Sequence, residues 1–159
     1  MNKQALLKEF EKQILSAQAM LKESAVAAHE AATHSESKAE DQYDTRGLEA
    51  SYLAGAQSKR VAELDGLLAI FRNVDVKTFG PDSAIAATAV IELESDGKRS
   101  LCFLMPKGGG MVATIDGKSV HVITPQSPLG AALLGESVGG EVSVLIQGRM
   151  KQYEVVSVI

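Results

Sequence analysis

Hydrophobic and polar positions alternate with two different periods along the chain. From Gln4 to Ala32 nothing breaks a helix, and Leu6, Phe10, Ile14 (or Ala17), Leu21 and Ala28 recur every three, four or seven residues. That spacing predicts an amphipathic helix, because such positions fall on one face at 3.6 residues per turn. Residues 33–37 (Thr-His-Ser-Glu-Ser) lack apolar side chains and are rich in cap formers. The helical signal resumes with Tyr43, Leu48, Tyr52, Val61, Leu64, Leu68 and Phe71, and ends at Asn73 before β-branched Val74 and Val76. Two helices of about 30 residues would each run about 45 Å. A short polar connection makes them pack antiparallel, as a hairpin.

The period changes to two after Gly80-Pro81. Ile85–Glu94 and Ser100–Met105 read as strands joined at the turn pair Asp96-Gly97. Met111–Ile115 and Ser119–Thr124 repeat the pattern around Asp116-Gly117. Ser127 suits an N-cap, Pro128 the first helical position and Gly135 the stop, which predicts a two-turn helix. Glu141–Gln147 and Lys151–Ile159 complete five or six mostly antiparallel strands. The predicted class is α+β, with a hairpin over 1–75, a linker over 76–82 and a compact sheet domain over 83–159.

Composition sharpens this division. The first 73 residues hold 14 Ala, 3 Gly and no Pro, whereas the rest holds 7 Ala, 11 Gly and all 4 Pro. The net charge of -4 divides evenly, so charge sets neither half apart. It also argues against an independent DNA binder, since the only basic pairs are Lys59-Arg60 and Lys98-Arg99. One cysteine forms no internal disulfide, which points to a reducing, cytoplasmic setting. Lys8, Glu9, Glu11 and Lys12 interrupt any signal-peptide core, and no apolar run reaches membrane-spanning length, so no membrane association is expected.

Candidate chemistry is sparse. Four acids, Glu36, Glu40, Asp41 and Asp44, crowd around a single base, Lys38. Such a cluster suits either a metal or basic partner, or a solvated helix start that answers the macrodipole. His29 and His34 are about 140° apart on a helix and share no metal-binding face. Gly108-Gly109-Gly110 has no following Lys-Ser/Thr and so is not a phosphate loop. Cys102, between Leu101 and Phe103, reads as a core residue.

The segment Val122–Val142, VITPQSPLGAALLGESVGGEV, resembles the C-terminal domain of the Gre family of bacterial transcript-cleavage factors. Ile123, Ser127, Pro128, Leu129, Ala132, Leu133, Gly135, Gly139 and Val142 fall on the family pattern. The order of a helical hairpin and then an FKBP-like domain is similar as well. The resemblance implies an RNA polymerase partner, docked through Ser127, Pro128, Leu129 and Leu133. The hairpin then enters the secondary channel and meets the RNA 3′ end only inside that complex. It further implies that Glu36, Glu40 and Asp41 are the candidate acids for a Mg²⁺ shared with the polymerase. No cofactor is expected to bind stably to the chain alone, and any RNA cleavage would be the polymerase's own, with this chain as accessory.

Aligned on Lys38 and Tyr43, Glu36 falls on the family's functional Asp and Ala39 on its functional Glu. An active cleavage factor and a channel occupant that does not stimulate hydrolysis therefore both stay open, with Ala39 favouring the second. Two other classes remain beside them. One is a peptide-binding or prolyl-isomerase module, which would want an aromatic pocket. The other is a coiled-coil dimerisation protein, with Leu7, Leu15, Val26 and Leu53 off the main stripe.

Overall fold

The computed structural model describes residues 1–33 and 46–159. Two long helices come first, α1 at Lys3–Thr33 and α2 at Arg46–Asn73. Asn2 caps α1, its side-chain oxygen accepting from the backbone N–H of Gln4 (3.0 Å) and Ala5 (3.2 Å). Arg72 stands in the last turn of α2, where a cation answers the exposed carbonyls.

Six strands follow: β1 Val90–Ser95, β2 Lys98–Leu104, β3 Val112–Ile115, β4 Lys118–Ile123, β5 Glu141–Ile146 and β6 Arg149–Val158. A short helix, α3 at Pro128–Leu133, lies between β4 and β5. The strands form one sheet in the order β3-β4-β2-β1-β6-β5. All neighbouring pairs are antiparallel except β2 with β4, which is parallel with Leu101 opposite Val120. The sheet is therefore mixed rather than purely antiparallel. The predicted α+β class, with a helical N-terminal region and one short helix on the sheet, is the observed one.

Cα packing divides the chain into two compact units. One comprises Met1–Phe10 and Ile70–Ile159, and the other Glu11–Ala69. The roots of both long helices thus belong to the sheet unit.

In the helical unit, Gln18 Nε2 donates to Asp65 Oδ1 at 2.7 Å and Gln57 Nε2 to Ser24 Oγ at 3.4 Å. The partner's number falls as the residue number rises, so α1 and α2 run antiparallel. Ile14 and Leu68 are buried, as the stripe predicts. Gln18 is buried as well, its amide satisfied by Asp65, so a polar bridge interrupts the apolar seam.

In the sheet unit, successive side chains point to opposite faces. Ile91, Leu93, Cys102, Leu104, Val142, Val144 and Val155 form the core of one face, closed by Leu133 of α3. On the other face Phe103 stacks on Phe10 at 6.4 Å between ring centroids, and Phe10 meets Phe71 at 5.5 Å. Those offset and tilted rings are the preferred aromatic arrangements. Leu7, read from sequence as off the stripe, is buried, and it lies in the root of α1 that belongs to the sheet unit.

The strand predicted from Ile85 starts only at Val90. Thr88 takes φ of 71°, a left-handed conformation rare for a β-branched residue, and breaks the extended run. The chain stays tied to β2 across this break, because Thr88 N–H donates to Leu104 O at 2.8 Å and Leu104 N–H donates to Ala89 O at 2.9 Å. Ile85 pairs instead with the turn after α3, donating to Glu136 O (2.7 Å) and accepting from Gly135 N–H (2.9 Å).

Candidate partner-docking site

Short-range hydrogen bonds around Ser127 build the start of α3. Ser127 Oγ donates to Thr124 O at 2.7 Å and accepts from Gly130 N–H at 3.1 Å. The Ser127 N–H also reaches Thr124 O, at 2.9 Å. Pro128 then occupies the first helical turn, where a missing N–H costs nothing. Gly130 has no alternative, since a Cβ there would run into the Thr124 carbonyl. Leu133 is fully buried under the helix. Gly135 ends the element at φ of 90°, a conformation suited to glycine.

The four residues named from sequence as docking residues thus divide. Leu133 presents no surface to a partner, and its work is packing. Ser127 is occupied as a cap. Pro128 is exposed and Leu129 half-buried, and both line an open groove of about 520 Å³. Gly109, Gly110, Val122, Ile123, Leu145 and Ile146 form the rest of its apolar wall. Neither Phe nor Tyr lines it, so it lacks the aromatic walls a prolyl-peptide pocket would want.

Leu145 and the glycine loop were not singled out as docking residues from sequence. The available signal was Gly109, whose Cβ would press on Thr124 at 3.2 Å, a close approach that keeps the loop against the helix start. Leu145 is 60% exposed on a strand edge, which composition alone does not reveal.

Glu36, Glu40 and Asp41 lie outside the described residues. Among the described residues no group of three or more His, Cys, Asp or Glu could hold a metal ion. Neither does any described helix have the length and apolarity to cross a membrane.

Burial pushes the Cys102 thiol up to about 11, so it is not a poised nucleophile. Burial also lowers Lys3 to about 8. Tyr153 is raised, first by burial and then by Cys102 and Asp96.

Residues 82–159 match the family model described as "Transcription elongation factor, GreA/GreB, C-term". The chain is 31% identical over 129 residues to the transcription elongation factor GreA of Syntrophus aciditrophicus (strain SB), covering 80% of this chain and 74% of that protein. The chain belongs to the GreA/GreB family of transcription elongation factors. Among solved Gre-related structures, GreA factor homolog 1 (Gfh1) of Thermus thermophilus is 22% identical, covers 94% of both chains and superposes with a TM-score of 0.39. A GreA/GreB factor from Nitrosomonas europaea is 22% identical, covering 60% of this chain and 78% of its own, with a TM-score of 0.38. Superpositions that low add nothing to the Gre assignment, which stands on sequence.

Proposed function

We propose that this chain regulates transcription elongation as an accessory factor of RNA polymerase. The sheet domain docks on the polymerase through the Pro128–Leu129 groove, and the helical hairpin enters the secondary channel toward the active site. The observation that carries this reading is the family match to GreA, together with the groove that the family motif lines. A shallow apolar groove with a rigid capped helix on its rim suits a protein surface better than a small molecule, because preformed elements limit the entropy lost on docking.

In this reading Glu36, Glu40 and Asp41 are the acids brought to the polymerase, and a Mg²⁺ would be held jointly rather than by this chain alone. When bound, such an ion supplies Lewis-acid stabilisation of phosphoryl oxygens. Contact with the RNA 3′ end arises only inside the complex, and the chain does not bind DNA independently. The setting is cytoplasmic, beside the polymerase.

Ala39 favours channel occupancy over cleavage stimulation, since the family's functional Glu has no carboxylate counterpart at that position. The experiment is a backtracked elongation complex with Mg²⁺, followed by RNA length. The reading predicts binding with little added cleavage. Shortened RNA that depends on Glu36 and Glu40 would convert the assignment to an active cleavage factor, and absence of any polymerase binding would remove it.

A further inference from the structure

The two faces of the sheet differ in charge. Leu93, Cys102, Val142 and Val144 mark the face that α3 covers, and strand alternation then assigns the other positions. Glu92 and Glu94 flank Leu93, Glu141 precedes Val142, and Glu154 pairs with both Glu94 and Glu141. Every carboxylate in the strands therefore projects from the opposite face. Lys151 pairs with Val144 and Arg149 with Ile146, so both of these cations stand on the α3 face. Lys98 joins them, because its partner Ser95 lies two residues on from Leu93. The α3 face thus carries strand cations and no strand carboxylate.

Arg149 and Lys151 border the groove at the start of α3. Ile146, the cross-strand partner of Arg149, lines that groove together with Gln147, Ile123 and Leu129. His121 lines it too, on the same sheet face, and is the one ionisable side chain in the lining. Arg149 and Lys151 are exposed, and neither makes an ion pair among the described residues. Their turn supplies no acid. It reads Gln147-Gly148-Arg149, whereas the other two hairpin turns read Asp96-Gly97-Lys98 and Asp116-Gly117-Lys118. Glu136, beyond α3, has its carboxylate close to Gly140, at the far end of β5 from Ile146. Arg149 and Lys151 are therefore cations without a counter-charge beside an apolar groove.

We propose that the polymerase segment received by the Pro128–Leu129 groove is acidic. Its apolar side chains seat against Ile123, Leu129 and Ile146, and carboxylates beside them pair with Arg149 and Lys151. The inference rests on the polymerase reading and adds the chemistry of the docking segment. An apolar floor with a polar, charged rim is the usual order of a protein–protein interface. Rim charges of one sign steer a complementary partner and disfavour a like-charged one. A nucleic-acid strand fits less well, because neither Phe nor Tyr lines the groove for bases to stack on and the chain has a net charge of -4.

The test is fluorescence anisotropy of the labelled full chain with RNA polymerase free of nucleic acid, at low and at high salt. Wild type is expected to bind, and to bind more weakly at high salt. Arg149→Glu and Lys151→Glu should each weaken low-salt binding roughly fivefold or more, chiefly through slower association. Lys118→Glu, on the opposite face, should bind as wild type does. The gap between wild type and the two variants should shrink at high salt, which a folding defect would not produce. Equal binding by wild type, Arg149→Glu and Lys151→Glu, with Pro128→Glu still impaired, overturns the acidic segment and leaves the docking reading standing. An equal loss in Lys118→Glu overturns it as well, by showing an effect of overall charge. So does a loss confined to complexes that carry nucleic acid, which assigns the cations to a phosphate backbone. Failure of wild type to bind any polymerase form removes both readings.

Discussion

The Lys3 ammonium donates a 2.7 Å hydrogen bond to the backbone carbonyl of Lys77. The same peptide stretch is held from the other side, because Lys77 N–H donates to Thr88 Oγ1 at 3.0 Å. Lys3 also sits 4.6 Å from the centre of the Phe79 ring, a cation–π contact. The segment after α2 is thus fastened by its acceptor to the root of α1 and by its donor to the segment leading into β1. Removing Thr88 Oγ1 leaves the part-buried Lys77 N–H without its acceptor. Thr88→Val is therefore expected to lower stability by about 1–3 kcal/mol in urea unfolding.

Lys3 also makes stability depend on pH. Its ammonium titrates near 8 in the folded chain because burial disfavours the charge, against an ordinary value of 10.5. Between those values the unfolded chain holds the extra proton, so rising pH favours the fold. The neutral amine can still donate to Lys77 O. Thermal unfolding of wild type and Lys3→Met at pH 7, 8, 9 and 10 should show wild type gaining on the variant above pH 8.

Cys102 acts in the opposite direction. The unfolded thiol ionises near 9.0, and the folded one only near 11. Stability is therefore lost as pH climbs from about 9, by up to about 2–3 kcal/mol once both values are passed. Cys102→Ala should flatten that decline, whatever it costs at neutral pH. The native thiol should also resist a thiol-reactive dye at pH 8 until denaturant opens the core.

The α3 start offers a steric test. Gly130→Ala places a methyl group against the Thr124 carbonyl and is expected to cost about 3 kcal/mol, visible as a lower thermal midpoint. Ser127→Ala removes the cap and should cost about 1 kcal/mol.

Local patterns predicted most of this architecture. The spacing of Leu6, Phe10 and Ile14 placed α1, and all three are buried. Asp96-Gly97 and Asp116-Gly117 marked their turns because few other pairs accept positive φ twice in succession. The Ser127-Pro128 pair located the α3 start within the residue. What escaped was non-local. The parallel pairing of β2 with β4 joins strands whose connection passes through β3, and no local residue type signals it. The burial of Gln18 depends on Asp65, 47 residues away. Thr88 in a left-handed conformation could not be foreseen, because its residue type argues for extended strand. The groove at Pro128 and Leu129 likewise depends on Leu145 and Gly109, brought together only by the fold.

The most direct test of the account is binding of fluorescently labelled full chain to RNA polymerase elongation complexes, followed by anisotropy. Pro128→Glu and Leu129→Glu, which put a charge into an apolar groove, are compared with wild type. The account predicts saturable binding by wild type, weakened at least roughly tenfold by each variant, with the thermal stability of the exposed-site variant Pro128→Glu unchanged. Absence of binding by wild type, or equal binding by all three proteins, would contradict it.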